Sequence, residues 1–182
     1  MMRRFLACGL ALTLVLTLSL ASYGDGKAGT KLPAPPTNAG LEKLKKLAGT
    51  WVVADEDGKP TDQVASIIKV TSGGSAVHET LFPGQPMEMI SIYTVDGSDL
   101  VMTHYCVLGN QPRMKADPNS PPNKIVWHFA GGTNLNPAKD KHMHEATLTI
   151  ISDDRIEVKG TGWENGGPAK DMCCGLKLVR KK

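Results

Sequence analysis

Short β-type runs separated by turn dipeptides fill the chain from Trp51 onward, and they limit its fold more than any other feature. Dipeptides such as Asp57-Gly58, Asp96-Gly97 and Gly166-Gly167 stand between the runs and favour tight hairpin turns. The runs are Trp51–Ala54, Val64–Thr71, Ala76–Leu81, Met87–Val95, Asp99–Leu108, Lys124–Phe129, His142–Ile151, Arg155–Trp163 and Asp171–Val179. About nine closely spaced strands joined by hairpins predict an all-β antiparallel barrel or sandwich, with longer connections over 109–123 and 131–141.

The first residues of the chain have the pattern of a secretory signal peptide. Arg3-Arg4 precedes an almost unbroken apolar run from Phe5 to Leu20, and Ser19-Leu20-Ala21 supplies small residues for cleavage. The apolar run is shorter than the roughly 20 residues that a membrane-spanning helix needs, which leaves an uncleaved anchor as the alternative. We therefore expect a signal peptide over 1–21 and an exported protein, periplasmic or extracellular, with no stable membrane insertion after cleavage.

A flexible segment and a short helix precede the strands. Residues 22–40 are rich in glycine and proline, which predicts a flexible linker, and 41–182 then form the folded domain. Leu41, Leu44 and Leu47 recur at three-residue spacing, which predicts a short amphipathic helix. Asn38 is the expected cap of that helix, and Gly49 is expected to end it.

The charge balance excludes one class of partner. The formal net charge is +3, and cleavage after Ala21 would remove Arg3 and Arg4 and leave +1. A nearly neutral chain lacks the basic surface that nucleic-acid binding requires. We therefore expect no nucleic-acid partner, while the oligomeric state stays open.

The predicted helix is followed directly by Gly49-Thr50-Trp51, an order that resembles the opening of lipocalin-like (calycin) barrels. Thr103-His104-Tyr105-Cys106, with Gly109-Asn110-Gln111-Pro112-Arg113, is similar to a group of exported bacterial lipocalin-like proteins of unassigned activity. The resemblance covers residues 41–180. It implies an up-and-down barrel of about eight or nine strands. It also implies that Arg180 packs over Trp51 of the Gly49-Thr50-Trp51 motif at the closed end of that barrel.

Strand parity predicts which side chains face the interior, because alternate residues of a strand point to opposite faces. In Asp99–Leu108, one apolar face holds Met102, His104 and Cys106, and in His142–Ile151 the drier face holds His144 and Leu148. A one-residue bulge would reverse part of this assignment. The predicted ligand pocket is lined by Met102, His104, Cys106, His144 and Leu148, with Trp127 and Phe129 as walls.

Three histidines on these inner faces are candidate metal ligands. His104, His142 and His144 would share the interior, and imidazole binds zinc, copper and haem iron. No carboxylate accompanies the three histidines, so a hydrolytic zinc site is not expected. The alternative is hydrogen-bonded packing inside the barrel, so no cofactor is assigned, and haem or a transition metal stays open.

Arg113 and the cysteines raise separate expectations. Arg113 follows a barrel strand and could bind an anionic group at the rim or hold the proline-rich connection.

The mature chain has three cysteines, and export favours oxidation. Cys106–Cys174 is the candidate disulfide, with a vicinal Cys173–Cys174 bridge as the alternative. His78 and Glu79 are interpreted as polar residues on the protein surface.

The sequence contains no nucleophile elbow, phosphate-cradling loop or His-Glu-x-x-His motif. Catalysis therefore has no positive support, and a non-enzymatic protein is favoured. We expect an exported barrel that binds a small, largely apolar molecule. The alternatives are a haem- or metal-binding barrel that uses the interior histidines, and a structural, envelope-associated module with a filled interior.

Overall fold

The computed structural model describes residues 34–182, apart from the side chains of Cys173 and Cys174. The predicted signal peptide over 1–21 and the first part of the predicted linker lie outside the described residues. Among the described residues, no helix combines the length and the apolar character that crossing a bilayer requires.

The first described element is helix α1 (Ala39–Lys46). The Asn38 side chain accepts hydrogen bonds from the backbone N–H groups of Gly40 (2.9 Å) and Leu41 (3.1 Å), which confirms the predicted cap. The helix begins two residues before Leu41, so Ala39 and Gly40 belong to it and not to the linker. Its apolar face, with Leu41 at 0% exposure, points into the barrel.

Ten strands follow α1 and close into one antiparallel barrel, in which each strand pairs with the next along the chain and β1 pairs with β10. They are β1 (Gly49–Ala54), β2 (Pro60–Thr71), β3 (Ala76–Leu81), β4 (Met89–Asp96), β5 (Asp99–Tyr105), β6 (Gln111–Ala116), β7 (Lys124–Thr133), β8 (His142–Ser152), β9 (Arg155–Glu164) and β10 (Gly167–Arg180). The predicted all-β antiparallel fold is confirmed, and of the two architectures it is the barrel.

The expected count of eight or nine strands is wrong, because a tenth strand lies inside the predicted connection 109–123. That strand is β6, where buried Pro112 and Met114 alternate with exposed Arg113 and Lys115. Proline lacks the N–H group that a strand donates to its neighbour, and a register shift follows Pro112. Because this segment contains two charged residues and a proline, its sequence predicts a loop, although the segment forms a strand that is buried on one face.

The barrel is closed at the end where α1 lies. The apolar residues Leu41, Leu44 and Leu47 pack there in one core with Trp51, whose Nε1 donates to the Leu47 carbonyl at 2.9 Å. Burial of these side chains contributes roughly 25 cal/mol per Å² of apolar surface. We call this the α1 end, and the opposite end, with the β5–β6, β7–β8 and β9–β10 connections, the far end.

Arg180 is the last residue of β10, and its side chain packs and forms hydrogen bonds at the α1 end. Its guanidinium carbon lies 4.5 Å from the centre of the Trp51 ring, the arrangement that the sequence resemblance implied. Its Nη1 donates to the Ala48 carbonyl at 2.7 Å and its Nη2 to the Lys46 carbonyl at 3.1 Å. Gly49 permits this approach, because it has a φ of 144° and a Cβ there would lie 2.8 Å from Nη1.

Candidate functional site

One side of the barrel interior is lined by apolar side chains that are only half-buried. Leu148 lies opposite Ile125 of β7, which is a core residue 3% exposed, and opposite Val158 of β9, so Leu148 points inward. We call the half-buried, inward-facing residues of β8–β10 the inner wall. Its members are Ala146, Leu148, Ile150, Val158 and Leu176. They stay half-buried although they face the interior, whereas Met114 on the inner face of β6 is fully buried.

A group of polar side chains occupies the inside of the neighbouring strands β2–β5. Glu79 of β3 pairs in register with Ser91 of β4, which pairs with His104 of β5, so the three lie side by side across the sheet. We call these residues and two adjoining ones the polar row, which consists of Ser66, Glu79, Ser91, Tyr93 and His104. None is more than 8% exposed. Buried polar groups of this kind need hydrogen-bond partners.

Glu79 is held by two hydroxyl groups. The Ser66 hydroxyl donates to Oε1 at 2.6 Å, and the Tyr93 hydroxyl donates to Oε2 at 2.5 Å. Burial, and then the charge of Glu79, raise the pKa of Tyr93 well above its usual value, so the phenol keeps its proton and remains a donor. Among the described residues no basic side chain lies within ion-pair distance of Glu79.

His104 is an uncharged member of the polar row. Its Nδ1 lies 3.0 Å from the Ser91 hydroxyl, and burial lowers its pKa to about 4. The imidazole is therefore neutral near pH 7. Its Nε2 has no hydrogen-bond partner among the described residues, so one ring nitrogen is free to bond to a ligand.

A second pair of histidines lies at the far end. His142 is completely buried, and its Nδ1 is 2.7 Å from the Asp140 carbonyl, which can only accept, so Nδ1 carries a proton. Its Nε2 is 3.1 Å from Nδ1 of His144. When His142 is neutral, its Nε2 accepts from His144, and Nε2 of His144 is then left with a lone pair. Burial, and then the neighbouring His142, lower the pKa of His144.

Aromatic rings hold this pair of histidines in place. Trp163 stacks on His144, with ring centres 3.9 Å apart and planes 14° apart. Phe129 lies 4.7 Å from His142 and 5.0 Å from His144 between ring centres. A register shift between Met143 and Glu145 marks a bulge at His144, which breaks the simple alternation predicted for this strand.

The three candidate metal ligands do not meet in one place. His104 bonds to Ser91 within the polar row, while His142 and His144 bond to each other. Within residues 34–182, leaving aside the undescribed side chains, no group of three or more histidine, cysteine or carboxylate side chains is placed to hold a metal ion.

The remaining candidate residues fall into different surroundings. Met102 and Trp127 are core residues, 3% and 2% exposed, and Trp127 packs on Tyr93 with ring centres 5.6 Å apart. Cys106, which was predicted on the inner face of the strand Asp99–Leu108, lies instead in the β5–β6 turn, because β5 ends at Tyr105. It is a half-buried free cysteine, so the Cys106–Cys174 disulfide is not formed in this structure. Arg113 does not line the interior, because it lies on the outer face of β6 and forms a 2.7 Å ion pair with Asp96.

The interpretation of Glu79 as a surface residue is wrong. Glu79 is 8% exposed and shares the inner face of β3 with Val77, which is fully buried. Strand parity could have predicted the burial of Glu79, because Val77, Glu79 and Leu81 are alternate residues and therefore lie on the same face of β3. The hydroxyl groups that satisfy its carboxylate come from residues 13 and 14 positions away, on other strands. No local pattern in the sequence could reveal those partners.

Two cavities also occur near the ends of the barrel. One, of about 360 Å³, lies at the far end between the β5–β6, β7–β8 and β9–β10 connections. Asn110 lines this cavity and donates to the Lys141 carbonyl at 2.8 Å, while its Oδ1 is buried with no partner among the described residues. The other, of about 230 Å³, lies between the start of α1 and the β4–β5 and β6–β7 connections.

Comparison with known proteins found no family model and no curated protein that the chain matches. The functional argument therefore depends on the geometry of the barrel and its interior side chains.

Proposed function

We propose that this protein is an exported, lipocalin-like barrel that binds a small, largely apolar molecule between the inner wall and the polar row. The observation that carries the proposal is the inner wall, where Leu148, Val158 and Leu176 face the interior and remain half-buried. Apolar side chains that face inward but stay accessible are the lining expected of a binding pocket.

The size of the barrel supports the same function. Eight strands enclose a space that side chains can fill or that holds one small ligand, and the diameter grows with strand number. Ten strands enclose more space, and α1 packs at one end of it. Covering the inner wall with a ligand would contribute roughly 25 cal/mol per Å² of apolar surface removed from water. The polar row would select a polar group on the ligand.

A haem- or metal-binding barrel is the second candidate function. The free lone pair on Nε2 of His144 favours it, because a neutral imidazole nitrogen is a good ligand for iron, copper or zinc. A single nitrogen supplies only one coordination position, and His104 lies in a different cluster. Titration with haemin, followed by the absorbance of the haem, tests this candidate function. Coordination by His144 would change the spectrum of the unmodified protein, and this change would be lost in a His144→Ala variant.

The proposed function is tested by blocking the pocket from one face of β8. Leu148→Trp places a large ring on the inner wall, while Thr147→Trp, its neighbour opposite Lys159 on the outer face, is the matched control. Binding is measured by displacement of the neutral fluorophore N-phenyl-1-naphthylamine with 1-dodecanol. We expect saturable one-to-one binding by the unmodified protein and Thr147→Trp, and strongly reduced binding by Leu148→Trp. Binding that is absent in the unmodified protein, or equal in both variants, contradicts the proposal.

A further inference from the structure

Glu79 is a buried carboxylate without a described basic partner. A charge taken out of water is costly unless an opposite charge or several hydrogen bonds compensate it. Here Ser66 and Tyr93 each donate one hydrogen bond, one to each carboxylate oxygen. Each oxygen can accept a second bond, so the site has acceptor capacity left for a donor from outside the chain.

We propose that the ligand carries a protonated amine, which donates to the carboxylate of Glu79 while its apolar body lies along the inner wall. This inference depends on the proposed function, because it names the chemical class of the molecule bound in the same interior. A primary ammonium has three N–H donors and can also bond to an oxygen of the polar row or to Nε2 of His104.

The surroundings of Glu79 favour a cation over an anion. A ligand carboxylate would face a like charge, and the described interior holds no lysine or arginine to offset it. His104 supplies no positive charge near pH 7, because burial lowers its pKa to about 4. The ring of Tyr93, whose hydroxyl donates to Glu79, packs on Trp127 with centres 5.6 Å apart, and aromatic rings interact favourably with cations.

Long-range electrostatics act in the opposite direction. The formal net charge is +3 for the full chain and +1 without residues 1–21, and a positive net charge attracts anions and repels cations at a distance. A preference for an amine over a fatty acid of the same length would therefore originate in local contacts and not in the overall charge.

The experiment compares dodecylamine, dodecanoic acid and 1-dodecanol, which share one alkyl chain and differ in the charge of the head group. Each is titrated against the protein loaded with N-phenyl-1-naphthylamine at pH 7.5. We expect dodecylamine to bind at least about tenfold more tightly than dodecanoic acid, as a hydrogen bond to a charged group allows. Glu79→Gln should remove this preference for the amine over the acid. Glu145→Gln, on the exposed face of β8, should behave as the unmodified protein.

A measurement on the unmodified protein covers the case in which Glu79→Gln does not fold. Nuclear Overhauser effects between the C1 methylene of bound dodecylamine and the ring protons of Tyr93 would place the ammonium at Glu79. Equal binding of the amine and the acid, a preference that persists in Glu79→Gln, or bound amine without contact to Tyr93 overturns this inference while the proposed function stands. Failure of all three compounds to bind overturns both.

Discussion

At the scale of single residues, the interior of this barrel tolerates polar groups because each is neutral or hydrogen-bonded. His104 is paired with Ser91 and stays uncharged, and Glu79 receives hydrogen bonds from two hydroxyl groups. Neither arrangement depends on an ion pair. The titration of His104 therefore links the stability of the fold directly to pH.

The first prediction concerns His104. Its pKa is about 4 when folded, below the roughly 6.5 of an unfolded histidine, so the unfolded chain binds a proton first as the pH falls. Its contribution to stability is complete above about pH 6.5 and is lost as the pH falls toward 4. Between about pH 7.5 and about pH 4.5, this residue should lower the free energy of unfolding by about 2.5 kcal/mol.

Urea unfolding of the unmodified protein and of His104→Gln at both pH values isolates this contribution. The variant should lose stability at neutral pH but show a smaller fall in stability on acidification. An identical pH dependence in the two proteins would show that His104 does not carry this linkage.

The second prediction concerns the proton on His142. Because Nδ1 of His142 faces the Asp140 carbonyl at 2.7 Å, the neutral ring should be the Nδ1–H tautomer at pH 7.5. Long-range ¹H–¹⁵N correlation spectra of the histidine rings distinguish the two tautomers. His128, which is exposed on β7, serves as the reference for a ring without this constraint. A neutral Nε2–H ring at His142 would contradict the hydrogen-bond pattern.

At this scale, parity in the sequence predicts some positions and fails at others for physical reasons. It places Met102 and His104 on the buried face of β5, where the structure also has them. It fails near His144, because the bulge depends on pairing with β9 and not on the sequence of β8. The partners of Glu79 likewise come from other strands, so only the fold brings them together.

At the scale of elements, α1 closes one end of the barrel. Leu41 is fully buried against the core, whereas the side chain of Lys46 at the end of the helix points to solvent. Leu41→Ala should therefore lower the free energy of unfolding by about 2–5 kcal/mol, since it leaves a cavity in the core. Lys46→Ala is the control and should change stability by less than about 0.5 kcal/mol. Chemical denaturation measures both, and similar losses would mean that the helix is not packed as described.

Arg180 joins three elements at the α1 end. It donates to the carbonyls of Lys46, Ala48 and Asp153 while covering Trp51. Arg180→Lys keeps the charge but loses the planar guanidinium that covers Trp51 and reaches these separate carbonyls, so we expect a loss of about 1–3 kcal/mol in stability.

Arg155→Lys is the matched control for Arg180, because the Arg155 side chain makes a single bond, to the Gly58 carbonyl. Thermal unfolding should show a clearly smaller effect for this change. Equal losses of thermal stability in the two variants would show that Arg180 has no special role in closing the barrel.

The prediction of elements from sequence succeeds where turns and apolar runs coincide, as at the β4–β5 hairpin. There Asp96 pairs with Asp99 across a tight turn whose Gly97 has a φ of 62°. It fails at β6, where Pro112 and two basic residues resemble a loop. The segment nevertheless forms strand β6, because the edges of β5 and β7 would otherwise lack hydrogen-bond partners.

At the scale of the whole molecule, the described core differs between the α1 end and the strands β8–β10. The core at the α1 end includes Trp51 and the leucines of α1, whereas the inner wall of β8–β10 stays half-buried. A closed ten-stranded barrel is a stable scaffold, because closure satisfies the edge of every strand independently of what the interior holds.

The most direct measurement is a crystal structure of the protein soaked with 12-bromododecanol, with anomalous diffraction at the bromine absorption edge. The account predicts a bromine site inside the barrel, beside Leu148, Val158 or Leu176 of the inner wall, and its loss in Leu148→Trp. Bromine found only on the outer surface, or an interior closed by side chains in the unmodified protein, would contradict the central claim that the barrel holds a small apolar molecule.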